Sequence, residues 1–249
     1  MTAPWLVRPR PNPRAALRLL CFPYAGGGAS VFRTWPAALP ADIELLAVEL
    51  PGRETRFRER PFQQLAPLIA ALTDAIGPHL QAPFAIYGHS LGAVVGFNFA
   101  RELRRRSLPE PVHLFVSGRR APQLPERSPI HQLPDPQFLD QLRRLGGIPD
   151  ALFEQPEIME IFLPVLRADV AVAESGPVGC EAPLAYPITA MGGLTDEKAR
   201  LEELDAWRAQ TSAAFDREVF PGGHFFVQSA RTAFLGSLAR RLARTTAAP

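Results

Sequence analysis

Residues 84–97 read FAIYGHSLGAVVGF. An apolar run reaches Gly88, Ser90 sits between Gly88 and Gly92, and the chain resumes at Leu91 as LGAVVGFNFARELRRR with helical periodicity. A strand that turns sharply into a helix throws its turn serine outward. The flanking glycines are needed because a β-carbon would crowd the bend. Gly92, Ala93 and Gly96 are small where such a helix must pass close to a sheet. A Gly-x-Ser-x-Gly pentapeptide also occurs by chance, so the rest of the chain must supply a base, an acid and an oxyanion site.

Working outward, short apolar runs bounded by Gly, Pro or charge predict buried strands. They are LRLLCF (17–22), IELLAVEL (43–50), FAIYG (84–88), VHLFVS (112–117), PITAMG (187–192) and FDREVF (215–220). Helix-period segments fall at 63–80, 91–106, 197–211 and 224–243. Strands alternating with helices predict a mostly parallel sheet flanked by helices, the α/β class. The alternation stops over 121–183, where helical pieces are cut by Pro134, Pro149, Pro156 and Pro164. This stretch reads as a helical lid insertion over the carboxyl edge of the sheet, where open α/β sheets bind ligands. Packing helices with no gating role are the plainer alternative. The resulting division is a flexible leader over 1–15, a core over 16–120 and 184–244, and the insertion over 121–183.

The bulk numbers narrow the class. With 249 residues, 47% hydrophobic and 21% charged, the chain suits one compact domain. A net charge of +2 is too small to imply a nucleic-acid or membrane partner. Cys21 and Cys180 show neither disulfide-framework nor zinc spacing, so no metal is expected and a cytoplasmic location is compatible. The first residues, MTAPWLVRPRPNPRAA, lack an apolar core of signal-peptide length.

A serine hydroxyl needs a base. Of the five histidines, His224 in FPGGHFFV follows the last strand at the same sheet edge as Ser90, and the preceding glycines free the backbone. His89 lies within the turn itself, with its ring expected to point away. The base needs a carboxylate. Asp196 is the first acid past the strand PITAMGG, with Glu197 as the fallback and Asp205 too far along. The order Ser, Asp, His is that of α/β-hydrolases. For the oxyanion, one N–H is expected from Leu91 and one from the loop after the first strand, CFPYAGGGAS, with Ala25 preferred over Tyr24. That glycine run lacks the lysine and spacing of a phosphate loop and fails G-x-G-x-x-G.

The segments CFPYAGG, VELPGRETR, YGHSLGA, LFVSGRRAP, LRADV, ITAMGGLTD and FPGGHFF, colinear over about 16–243, together resemble the type II thioesterases. These are free-standing α/β-hydrolases that accompany polyketide and nonribosomal peptide synthetases. The resemblance implies an α/β-hydrolase fold and hydrolysis of acyl groups from the phosphopantetheine arm of acyl or peptidyl carrier proteins, clearing stalled or mis-primed chains. It implies Ser90, Asp196 and His224 as the triad, Ala25 and Leu91 as oxyanion donors, a mobile lid, a monomer, and no cofactor beyond the arm carried by the substrate. A small-molecule carboxylesterase with the same triad is the alternative, and a non-catalytic scaffold a more distant one. The chain departs from the family pattern at Tyr24, where a histidine is usual, at Val170, where an aromatic is usual, in SGPVG after the lid glutamate, and at Glu197, where a proline often follows the acid.

Several other residues have two readings. Arg53 and Arg56 could contact the pantetheine phosphate or an acidic carrier, or pair with Glu54 and Glu59 in a solvated loop. Arg119 and Arg120 could dock a carrier or be plain surface arginines. Phe138, Leu142, Phe153, Ile158, Phe162 and Leu166 have helical spacing that suits an acyl channel or the lid's own packed face.

Overall fold

Alternate residues of each central strand point to opposite faces, and both faces are buried. In a computed structural model describing residues 5–80, 83–148, 150–175 and 181–247, the strands are β1 (Leu6–Val7), β2 (Leu17–Phe22), β3 (Ile43–Val48), β4 (Phe84–His89), β5 (His113–Ser117), β6 (Ile188–Gly193) and β7 (Phe215–Phe220). Leu20, Phe22, Ile86, Leu114, Val116 and Ala190 face one core, while Leu19, Cys21, Ala85, Tyr87, Phe115 and Met191 face the other. Two apolar faces demand two covering layers. The first is covered by α1 (Leu65–Ile76) and α2 (Leu91–Arg105). The other lies beneath the segment 29–39 and, near the C-terminus, α7 (Phe226–Ser229) and α8 (Arg231–Ala247).

The strand order is β1-β3-β2-β4-β5-β6-β7, parallel throughout except at β1. This is the α/β-hydrolase class expected from the sequence. From β2 the chain crosses to β3 on one side and then to β4 on the other, so the neighbours β2 and β4 flank a topological switch point. Loops leaving their carboxyl ends border the crevice where such sheets bind ligands.

Six of the seven strands lie where the apolar runs predict them. The seventh corrects the expectation of a flexible leader over 1–15 for residues 5–15; residues 1–4 lie outside the described residues. Trp5 is buried, Leu6 and Val7 pair with Val48 and Ala47, and Arg56 stacks 4.0 Å over the Trp5 ring. Arg8 and the Asn12 N–H both reach the buried Glu44 carboxylate. A large aromatic and a carboxylate anchor outweigh what the four prolines and the arginines within 1–15 suggest.

Between β5 and β6 lie α3 (Asp135–Leu145), α4 (Asp150–Phe153) and α5 (Pro156–Glu174). They share a small core of Ile130, Phe138, Leu142, Met159, Leu166 and Val170. Pro156 sits in the first turn of α5, where its missing N–H costs nothing, but Pro164 lies inside the helix without ending it, against the sequence expectation. Pro149, Cys180 and most of SGPVG lie outside the described residues. The helix expected over 197–211 is shorter: α6 spans Leu201–Asp205 and a 3-10 turn follows at Ala206–Gln210.

Candidate active site

Ser90 lies between β4 and α2 with φ 54° and ψ −112°, a backbone conformation that costs about 1–3 kcal/mol for a side-chain-bearing residue. Its neighbours hold it there. A β-carbon at Gly88 would overlap the Gly92 carbonyl, and one at Gly92 would overlap the Phe22 carbonyl of β2. The Ser90 N–H donates to the Ser117 carbonyl at 2.8 Å, tying the turn to the end of β5.

The histidine and the acid come from adjacent strand ends. β6 and β7 stay in register to Gly193 and Phe220, after which the Leu194 and Thr195 N–H groups donate to the Phe220 and Gly222 carbonyls. From this paired edge the loop after β7 brings His224 back over the sheet to Ser90. The ring lies with Nε2 3.0 Å from Ser90 Oγ and Nδ1 2.9 Å from Asp196 Oδ2, both at hydrogen-bond distance. A carboxylate facing Nδ1 favours the tautomer that donates there and leaves Nε2 to accept. Asp196 is buried, and its Oδ1 accepts the Lys198 N–H at 2.9 Å. Glu197, the fallback acid, is exposed.

His89, His113 and His131 have other hydrogen-bond partners, though the His89 ring packs 5.1 Å from that of His224. His89 is buried with Nδ1 2.9 Å from Ser117 Oγ. Burial, reinforced by the nearby His224, holds it well below the usual histidine range, so it stays neutral. His131 pairs with Glu174 and His113 with Thr189. Tyr24, standing where the family usually has histidine, accepts a hydrogen bond from Gln228 and packs its ring edge-on to Phe225, 5.0 Å between centroids.

Ser90 and His224 open into a mainly apolar cavity lined by Tyr24, Ala25, Leu142, Ile148, Leu166 and Val170. Of the six lid positions with helical spacing, Leu142 and Leu166 line this cavity. Phe138 is buried in the insertion's core under Arg167, and Phe162 is exposed.

The arginines correct the readings made from spacing. Arg53 is buried and forms a two-pronged ion pair with Asp169 at 2.7 and 2.8 Å, so it neither pairs with Glu54 nor faces a ligand phosphate. Arg56 does pair with Glu59, as one reading had it, but it is buried over Trp5 rather than solvated. Arg119 and Arg120 are not free surface cations. Both face Glu126, Arg120 is buried, and Arg119 also donates to the Ala173 carbonyl. Burial, then the adjacent Arg120, pulls the Arg119 guanidinium down to about 10, which leaves it charged at neutral pH. Sequence reasoning passed over the Arg53 partner, Asp169. It falls in the segment LRADV, which carries part of the family resemblance, but its partners lie far away in the chain and local spacing gives it no role.

A serine on a strained turn, an imidazole against its oxygen and a buried carboxylate behind the imidazole define a serine hydrolase arrangement. The model of the thioesterase domain family matches residues 17–242, and the chain belongs to that family. It is a thioester hydrolase. It is 42% identical to the gramicidin S biosynthesis protein GrsT of Aneurinibacillus migulanus, over 96% of this chain and 93% of that protein. The linear gramicidin dehydrogenase LgrE of Brevibacillus parabrevis is 43% identical over 90% and 87%. The dehydrogenase in that name has no counterpart in the glycine run 26–28, which lacks dinucleotide-binding spacing. Among solved structures, the RedJ thioesterase from the prodiginine pathway of Streptomyces coelicolor superposes with a TM-score of 0.86 at 40% identity, covering 96% of this chain and 91% of that one. Among the described residues, no helix is long and apolar enough to cross a membrane.

Proposed function

We propose that this thioesterase hydrolyses acyl groups from the phosphopantetheine arm of acyl or peptidyl carrier proteins, clearing stalled or mis-primed chains from a polyketide or nonribosomal peptide synthase. The observation that carries the reading is the Ser90–His224–Asp196 relay at the mouth of an apolar cavity. The near full-length likeness to proteins named for gramicidin S and prodiginine biosynthesis supports the choice of substrate.

In this reading Ser90 Oγ attacks the thioester carbonyl carbon as His224 Nε2 takes its proton. The carbonyl π pair moves onto oxygen, where the Ala25 and Leu91 N–H groups receive it. Ala25 lines the cavity beside Ser90, and Leu91 opens α2, whose first-turn N–H groups have no acceptor within the helix. Collapse breaks the C–S bond, and the imidazolium returns the proton to the departing thiolate. Water, deprotonated by the same imidazole, attacks the acyl-serine and releases the acid and Ser90. Asp196 holds the ring and stabilises its cationic form. The phosphopantetheine arrives with the substrate, and the chain acts as a monomer with no cofactor of its own.

The test offers acyl-carrier thioesters, and matched oxygen esters, to the parent and to Ser90→Ala. The expected result is hydrolysis of the thioester by the parent and loss of at least about 10³-fold in the variant. Undiminished hydrolysis by the variant overturns the assignment of Ser90. A preference for the oxygen ester, with no gain from the carrier, overturns the choice of substrate.

A further inference from the structure

The loop after β2 does not hold its shape alone. Gly26 has φ +76°, and a β-carbon there would come within 2.6 Å of Leu166 on α5. The Gly26 N–H donates to Asp169 Oδ2 at 2.8 Å, and the Gly27 N–H donates back to the Tyr24 carbonyl at 2.9 Å. Both neighbours of Ala25 on its C-terminal side therefore have their N–H groups taken. Arg53 completes the arrangement: Nη1 donates to Asp169 Oδ2 and, at 3.0 Å, to the Gly27 carbonyl, while Nη2 donates to Asp169 Oδ1. Arg53 and Asp169 are 6% and 3% exposed, so these charges are shielded from water and directed at each other and at the loop, with Arg53 also donating to the Pro51 carbonyl at 3.3 and 3.4 Å.

We propose that Asp169, with Arg53 behind it, is a positioning residue that turns the 24–27 loop so that the Ala25 N–H faces the oxyanion. The inference rests on the reading of Ala25 as an oxyanion donor. An oxyanion donor acts only when aimed at the place where charge develops, and loss of one costs about 10²–10³ in rate. Asp169 lies on α5, inside the insertion, so the helix that walls the acyl cavity also sets the oxyanion loop. The half of α5 that follows Pro164, carrying Leu166, Asp169 and Val170, belongs to the catalytic frame.

Removing one member of a buried ion pair strands the other charge, so the test removes both. Asp169→Asn/Arg53→Met keeps an oxygen for the Gly26 N–H, while Asp169→Leu/Arg53→Met does not. Each is measured for thermal midpoint, for affinity toward a trifluoromethyl ketone analogue of acyl-pantetheine, and for affinity toward the matched thioether. The ketone forms a tetrahedral adduct whose oxyanion needs the aimed donors, and the thioether does not. The Leu-containing variant is expected to bind the ketone about 100-fold more weakly than the Asn-containing one, with thioether affinities within about threefold. A purely structural role would lower the midpoint and weaken both ligands together. Ketone affinities within about threefold of each other overturn the inference.

If either double variant does not fold, Arg53→Lys is used in the same assay. Its ammonium cannot grip both Asp169 oxygens and the Gly27 carbonyl as the guanidinium does. About tenfold weaker ketone binding at unchanged thioether binding is expected, and an unchanged ketone affinity overturns the inference. A parent that binds ketone no better than thioether overturns the Ser90 and Ala25 reading itself, and this inference with it.

Discussion

Replacing Asp196 by asparagine tests the relay through its tautomer. Asp196 accepts on both oxygens, from His224 Nδ1 and from the Lys198 N–H, each at 2.9 Å. Asparagine has one oxygen and one NH₂ for those two donors. With the oxygen toward Lys198, the NH₂ faces Nδ1, the imidazole proton moves to Nε2, and the ring cannot accept from Ser90. With the oxygen toward His224, the NH₂ faces the Lys198 N–H and a buried donor goes unmade, at a cost of about 1–3 kcal/mol. The productive orientation also lacks the negative charge opposite the forming imidazolium, which adds about 2–3 kcal/mol at an exchange between charged and neutral partners. The sum is about 3–6 kcal/mol, or about 10²–10⁴ in turnover. The assay is thiol release from an acyl-pantetheine thioester in single turnover, with Glu197→Gln as the companion variant. A loss below about tenfold in Asp196→Asn would refute the reasoning, as would a comparable loss in Glu197→Gln, whose carboxylate is exposed.

Gly92→Ala places a β-carbon into the Phe22 carbonyl, two backbone segments that have no side chain to yield, and is expected to cost about 3 kcal/mol or more; a thermal midpoint within about 2 °C of the parent contradicts this. Trp5→Ala removes a buried indole from beneath Arg56 and is expected to cost about 3–5 kcal/mol by denaturant titration, whereas a frayed leader would lose nothing measurable. Burial, then the nearby Arg241, pulls His113 from 6.5 down to about 4 in the folded chain. The fold therefore favours the neutral ring, and the stability this contributes is present above pH 6.5 and lost as pH falls toward 4, up to about 3 kcal/mol in all. His113→Phe keeps the stack on Phe115 and is expected to flatten that part of the stability profile; an unchanged slope between pH 6.5 and 4 counts against it.

What was readable from the sequence and what was not divides along one physical line. Long strands such as β2 and β4 announce themselves because each is buried on both faces, so consecutive residues are apolar whichever way they point, while the edge strand β7 keeps only Phe215, Val219 and Phe220 as apolar markers around its exposed Asp216 and Arg217. Ser90 is legible because its turn needs glycine on either side, and the acid and base sit at strand ends that the same pattern locates. Leu6 and Val7 form too short a strand for any period to show, and the segment is held by Arg56 over Trp5 and by Glu44 under Arg8 and Asn12, all distant in sequence. Asp169 is hidden for the same reason: its hydrogen bonds reach Arg53 and Gly26, 116 and 143 positions away. The spacing of Arg53 near Glu54 suggests a local pair, since charge patterning weighs only near neighbours. Burial reverses that choice. A two-pronged bond shielded from water outcompetes an exposed pair worth about 1 kcal/mol or less. Groups that react lie at the ends of periodic elements and can be found from them. Groups that aim the reacting atoms are paid for by long-range burial, and they come into view only when the chain is folded.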